Sequence, residues 1–134
     1  MNPCFFCSLI TKLPENGIYE DGAVIAILDI HPRAPGHTMV IPKYHTENIL
    51  GLPSEQIGPV FAAVKKVTEM IRLGLAPDGF TIGINHGKHA GQAIDHLHIH
   101  IIPRWKGDGG SSIHGVVENI PKESLEEIKK KIVG

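Results

Sequence analysis

The chain is short of several things that would narrow its function at once. Aromatic residues make up only 5% of its 134 residues, and there are two cysteines. Neither sign of charge is in excess: 13 Lys and Arg stand against 14 Asp and Glu, a formal net charge of −1. A nucleic-acid binder needs a basic excess on one face, so no nucleic acid is expected as a partner. No apolar run approaches the ~20 residues that span a bilayer, so no membrane partner is expected either. The segment up to Cys7 has no basic stretch followed by an apolar one. No secretory leader is read there, and the cytoplasm is the expected location. In that compartment Cys4 and Cys7 are not expected to form a structural disulfide. Hydrophobic content (42%) and charged content (20%) are ordinary for a globular protein. The length fits one domain, 1–134, able to bury a core without staples.

What is present reads as alternating strands and one long helix. Gly22 to Leu28 is apolar and β-branched, and reads as a buried strand. His37 to Ile41 reads as another, stopped by Pro42; the prolines and glycine of Asp29 to Gly36 predict a turn between them. Ile57, Val60, Phe61, Val64, Val67 and Ile71 recur at spacings of three and four, one apolar face of a helix. Ser54 is its expected N-cap, Pro59 predicts an irregular start, and Gly74 is its expected stop. Phe80 to Asn85 reads as a strand, followed by a glycine-rich loop from His86 to Gln92. Arg104 to Gly115 carries four glycines and reads as a flexible loop. It lacks the lysine and hydroxyl ending of a phosphate-binding P-loop. Leu125, Ile128 and Ile132 predict a short C-terminal helix, with Glu126/Lys130 and Glu127/Lys131 as i,i+4 pairs. Strands at this spacing around one long helix predict an α+β fold with a mainly antiparallel sheet.

The strongest signal is Ile94 to Ile102 (IDHLHIHII). On a strand His96, His98 and His100 would share one face, about 7 Å apart, with Leu97, Ile99 and Ile101 on the other. Packing alone would favour valine or isoleucine at those positions. Imidazole is largely neutral at pH 7 and is then a nucleophile without needing a base. One ring can attack phosphorus while a neighbour's N–H supports the phosphate or the leaving group. The same array could instead hold zinc. Cys4-x-x-Cys7 points to a metal knuckle or a redox pair. Its place so near the start, rather than after a strand, argues against the redox use. His31 and His37 flank the proline turn and read as surface or turn residues. His86, His89 and His114 read as solvated loop residues.

Gly91-Gln92-Ala93-Ile94-Asp95-His96-Leu97-His98-Ile99-His100-Ile101-Ile102 resembles the histidine-triad (HIT) signature. Asp29-Ile30-His31-Pro32-Arg33-Ala34-Pro35-Gly36-His37, followed by Val40-Ile41-Pro42-Lys43-Tyr44-His45, resembles that family's N-terminal motif. The likeness runs from Cys4 to Arg104 and leaves the loop and helix of 105–134 without support. It implies a five-stranded, mainly antiparallel sheet with one long helix and a short C-terminal helix. It also implies a nucleotide hydrolase or transferase. That enzyme would attack the α-phosphate of an adenine-type conjugate, a phosphoramidate or a dinucleoside polyphosphate, through a nucleotidyl-histidine intermediate. His98 would be the nucleophile. His100 and Asn85 would lie at the phosphate, as would Gln92 and Ala93 in the entering loop. Asp29 would accept from the ribose hydroxyls, and Phe5, Phe6, Leu9, Ile27 and Ile30 would surround the base. Many relatives carry a serine or threonine hydroxyl where this chain has Ala93. A nucleotide-binding sensor or scaffold with little turnover is the alternative.

The resemblance also extends to zinc-binding members, including galactose-phosphate uridylyltransferases. It implies one structural Zn2+ per chain held by Cys4, Cys7, His45 and His96. A zinc hydrolase would need an open coordination position, which four protein ligands do not leave. Relatives pair as homodimers across the sheet and helix, and a homodimer is the expected assembly.

Overall fold

Alternation along the strands splits the apolar residues between two faces of one sheet. In a computed structural model, which describes residues 4–134, five strands form that sheet. They are β1 (Gly17–Glu20), β2 (Val24–Leu28), β3 (Thr38–Pro42), β4 (Gly79–Gly83) and β5 (Ile99–Arg104). The order is β1-β2-β3-β5-β4, and every pairing is antiparallel. Three helices accompany them: α1 (Phe5–Ile10), α2 (Ser54–Leu75) and α3 (Leu125–Val133). Val24, Ala26, Val40, Ile99 and Ile101 face α2 and bury against its Val60, Val64, Val67 and Ile71. Ile25, Ile27 and Ile41 face the other way and bury Phe6 of α1. Both faces of β2 are therefore covered, which is why its residues are apolar without a break. Full burial of each of these valine, isoleucine or phenylalanine side chains contributes about 1.5–3 kcal/mol.

The long helix runs where its periodicity predicts, with three local differences. Pro53 occupies the N-cap position and Ser54 is already helical, so no side chain caps that end. The helix continues through Pro59, forgoing one backbone bond. It ends at Leu75, one residue past Gly74, with Ala76 in the left-handed region (φ 49°) donating its N–H to the Arg72 carbonyl. The buried stripe is Val60, Ala63, Val64, Val67 and Ile71, whereas Ile57 and Phe61 are exposed.

Two elements, α1 and β1, carry no periodicity long enough to read from sequence. A third begins later than expected: the strand read over Ile94 to Ile102 starts at Ile99. The register that pairs Val40 with Ile99 would set Pro42 opposite Leu97. Proline has no N–H for the ladder. Leu97 instead donates to the Thr46 carbonyl at 2.7 Å, and the chain leaves the sheet there.

The loop after β5 is built rather than slack. Arg104 grips Asp108 through Nε (2.7 Å) and Nη2 (3.0 Å), and donates through Nη1 to Thr81 Oγ1 and the Ser111 carbonyl. Asp108 also accepts the N–H groups of Trp105 and Gly110. The Arg104 guanidinium and these amides hold its carboxyl well below the usual carboxylate range. Beyond the loop, α3 opens on a capping box between Ser124 and Glu127. That box occupies Glu127, and the ion pair that Lys131 makes is with Glu123. Leu125 and Ile132 of the predicted stripe are exposed. No helix among the described residues is long and apolar enough to cross a membrane.

Candidate active site and metal centre

Leaving the ladder at Leu97 changes what the three histidines can do. His100 stands on β5, paired with Met39 on one side and Gly83 on the other. His96 and His98 precede the strand, in backbone free to turn each ring toward a particular partner. Leu97, Ile99 and Ile101 still point together into the α2 core, so the predicted alternation survives. Phe6 lies edge-on to both His96 and His98, with ring centroids 5.9 and 5.1 Å away. The His98 and His100 rings are 5.0 Å apart.

The hydrogen-bond partners fix which nitrogen of each ring carries a proton. His98 Nδ1 lies 2.8 Å from the His96 carbonyl. A carbonyl only accepts, so Nδ1 is the donor, and the neutral ring keeps its lone pair on Nε2. That atom has no protein partner among the described residues, and no buried side-chain nitrogen or oxygen lacks one, so Nε2 is not sealed from solvent although His98 as a whole is buried. His96 is turned the opposite way. Its Nε2 donates to the Pro42 carbonyl at 2.8 Å, leaving the lone pair on Nδ1. Burial holds His96 below the usual imidazole pKa, opposed by that bond to Pro42.

His96 Nδ1 faces metal-ligating side chains from two distant segments. It lies 3.4 Å from Cys4 Sγ, 3.6 Å from Cys7 Sγ and 3.0 Å from His45 Nδ1. Cys7 Sγ is 3.2 Å from His45 Nδ1, and all four ligand atoms lie within 4.8 Å of one another. Zinc bonds of about 2.0–2.3 Å in a tetrahedron imply ligand separations of roughly 3.3–3.8 Å. The donor set and its spacing fit such an ion. Burial, and then the neighbouring Cys4, push the Cys7 thiol up. A bound cation reverses that preference by stabilising thiolate. The carbonyl of Pro42 orienting His96 is the kind of outer contact that metal-bound imidazoles use.

A second cluster joins Asp29, His37 and His100. His37 is buried, contrary to its reading as a surface or turn residue. The turn delivers it inward. Gly36 has φ +84°, and a Cβ there would meet Leu75 Cδ1 at 2.5 Å. Parity along β3 was the available signal, because His37 shares a strand face with Met39 and Ile41. Its Nε2 is 2.9 Å from His100 Nδ1 and 3.5 Å from Asp29 Oδ2. Burial lowers the pKa of His37, with Asp29 opposing. Burial, then the charges His98 and His37 would carry, lowers His100 to about 4.

The other sequence-predicted residues separate into groups. Phe5 and Ile30 are well exposed. Phe6 and Ile27 are sealed in the core beneath the histidines, with Leu9 packed against them, so Phe6 and Ile27 support the site from below. Asp29 accepts the His31 N–H through Oδ1. The register pairing Gly83 with His100 carries Asn85 to the level of His98, where it is exposed and lies beside Gly91. The Gln92 amide is spent internally: it accepts from Gly87 N–H and donates to the Glu47 and Ile94 carbonyls. Ala93 is exposed and lines a cavity with Cys4, Phe5 and His45.

Known proteins resemble this chain in sequence and fold. The HIT domain family matches residues 11–107. An uncharacterized HIT-like protein of Methanocaldococcus jannaschii is 42% identical over 132 residues, 98% of this chain and 99% of that protein. An adenylylsulfatase of Arabidopsis thaliana is 36% identical over 108 residues, 80% of this chain and 55% of that protein. The crystal structure of a HIT family member from Bacillus subtilis superposes with a TM-score of 0.83 at 38% identity, covering 98% of this chain and 95% of that one. A Zn-bound histidine triad protein from Mycobacterium smegmatis does so at 0.74 and 41%, covering 81% and 79%. The chain belongs to the HIT domain family.

Proposed function

We propose that this protein is a nucleotide hydrolase or transferase that forms a covalent nucleotidyl intermediate on His98. The observation that carries the reading is the orientation of one ring. His98 Nδ1–H is committed to the His96 carbonyl, so the lone pair sits on Nε2, which is not sealed from solvent although the residue is largely buried. The lone pair attacks the α-phosphorus of an adenine-type conjugate, a phosphoramidate or a dinucleoside polyphosphate. A P–N bond to Nε2 forms, and the leaving group departs with the electrons of its own bond to phosphorus. Water then attacks phosphorus, the P–Nε2 bond breaks, and the nucleoside monophosphate leaves. The similarity to an adenylylsulfatase supports an adenylyl group. Asp29 binds the ribose hydroxyls; exposed Phe5 and Ile30 contact the base; Asn85, His100 and the Ala93 backbone hold the phosphate. Gln92 shapes the entering loop through its internal bonds.

Cys4, Cys7, His45 and His96 would hold one structural zinc. Bound there, the ion ties α1 and the segment after β3 to the triad and leaves His98 free. The assembly is a homodimer, supported by exposed Ile57, Phe61 and Leu73 on α2 and by β4 as an open sheet edge. Sedimentation at micromolar concentration tests it: a monomer there removes this part of the reading.

Ala93 favours a second reading, a nucleotide-binding protein with little turnover, because no hydroxyl stands at that position to assist departure. Assaying adenosine phosphoramidate, diadenosine polyphosphates and nucleotide sugars separates the two. Turnover of any one supports the enzyme; tight binding of all without turnover supports the sensor.

A further inference from the structure

The enzyme reading gives His100 a phosphate contact but does not say which of its nitrogens donates. The answer lies two residues deeper, beginning at a backbone amide. The Arg33 N–H donates to His37 Nδ1 at 3.1 Å. A nitrogen that accepts carries no proton, so neutral His37 must carry its proton on Nε2. That nitrogen is 2.9 Å from His100 Nδ1 and 3.5 Å from Asp29 Oδ2, so His100 is its nearer acceptor. His100 Nδ1 is then also an acceptor, and its proton sits on Nε2. His100 Nε2 has no protein partner among the described residues and is not sealed from solvent. In an imidazole the two nitrogens point away from one another, so the Nε2–H points away from His37.

We propose that His37 is a positioning residue: with the Arg33 amide behind it, it fixes the tautomer of His100 so that Nε2–H is aimed at the phosphoryl group. This rests on the enzyme reading only for the identity of what receives the proton; the tautomer itself is a property of the free protein. The direction of donation matters. With its proton on Nδ1, His100 would present a lone pair to an anionic phosphate and repel it. Left alone, an imidazole samples both tautomers. His37 removes that choice through a chain in which each ring has one acceptor and one donor. Burial reinforces it, because His100 is held neutral near pH 7 and cannot donate from both nitrogens. Asp29 touches the same His37 nitrogen, so the residue given to the ribose also borders the chain that aims at the phosphate.

The test is nitrogen-15 NMR of the imidazoles at about pH 8, above the ordinary imidazole value of ~6.5, on the zinc-loaded protein. His100 should show its directly bonded proton on Nε2 alone. His37→Phe should give a mixture of tautomers and lower kcat on adenosine phosphoramidate by about 10–100-fold, the size of losing an orienting partner. His37→Gln should restore the Nε2–H tautomer and most of kcat, since its amide NH2 occupies the Nε2 position and can donate to His100. A proton on His100 Nδ1 in the wild type would overturn the proposal without any variant having to fold. So would an unchanged tautomer in His37→Phe with native zinc content, or a second zinc per chain lost with His37, which would make this cluster a metal site. Should the wild type show the expected tautomer but no turnover, the positioning role stands and the enzyme reading falls.

Discussion

Two groups of histidines share one face of the sheet and are used in opposite ways. At the Cys4–Cys7–His45–His96 centre, four metal-ligating atoms lie within 4.8 Å of one another. In the Arg33–His37–His100 chain, donors and acceptors alternate. The residue type is the same, and backbone groups decide the difference. The Pro42 carbonyl takes the His96 proton to Nε2, turning the Nδ1 lone pair to the cluster. The His96 carbonyl takes the His98 proton to Nδ1, turning the other lone pair outward. The Arg33 amide does the reverse to His37. The first arrangement suits a cation; the second is satisfied by its own protons. The tautomers of His96, His98 and His37 are therefore set by the backbone group each ring meets.

The largest expected effect comes from removing the ring that belongs to neither group. His98→Ala should lower turnover on the order of 10⁴–10⁶-fold, as loss of a covalent nucleophile does. AMP affinity and zinc content should stay near wild type, because His96 and His100 keep their own partners. Steady-state kinetics with metal analysis checks this; near-wild-type hydrolysis would remove the covalent mechanism.

Breaking the convergent group should act on stability first. Cys4→Ser should lower zinc content from about one per chain, since structural zinc contributes folding free energy. Tm should fall by roughly 10 °C, because each kcal/mol moves Tm by about 3–5 °C at this size. Full zinc occupancy in a Cys4/Cys7 double variant would show that the ion sits elsewhere.

Asp29→Ala sharpens the boundary between the clusters. Nucleotide affinity should weaken by about 1.5–3 kcal/mol, the range for hydrogen bonds to a charged group. Calorimetry with AMP and with inorganic phosphate separates ribose from phosphate binding. Loss confined to phosphate would contradict the ribose assignment.

The smallest effect lies outside both groups, at the Arg104–Asp108 clamp. Asp108 is held below its ordinary value of 3.8 in the folded protein. Its contribution is fully present above that value and is lost as pH falls through the depressed folded pKa. Asp108→Asn should therefore flatten the acid limb of the stability curve below about pH 4 and leave kcat unchanged. An identical acid limb would mean the clamp contributes nothing to folding.

These contrasts explain what could be read in advance. The α2 periodicity, the apolar run of β2 and the parity of Leu97, Ile99 and Ile101 are local patterns, and they survive in the fold. The start of β5 is not local: it depends on Pro42, more than fifty residues earlier, lying across the sheet. The parity of His37 with Met39 and Ile41 was visible, but its meeting with His100 follows from β3 pairing with β5. The 105–115 loop read as flexible because its glycines are visible while the Arg104–Asp108 clamp is a matter of geometry. Phe6 read as a base contact, yet it lies sealed beneath two histidines because α1 folds back over the sheet.

The measurement closest to the central claim is the covalent adduct itself. Wild-type protein mixed with adenosine phosphoramidate and quenched without acid should gain one adenylyl group, and peptide mass spectrometry should map it to His98. His98→Ala should gain none. An adduct on another residue, or full turnover with no adduct at the earliest quench times, would contradict the account.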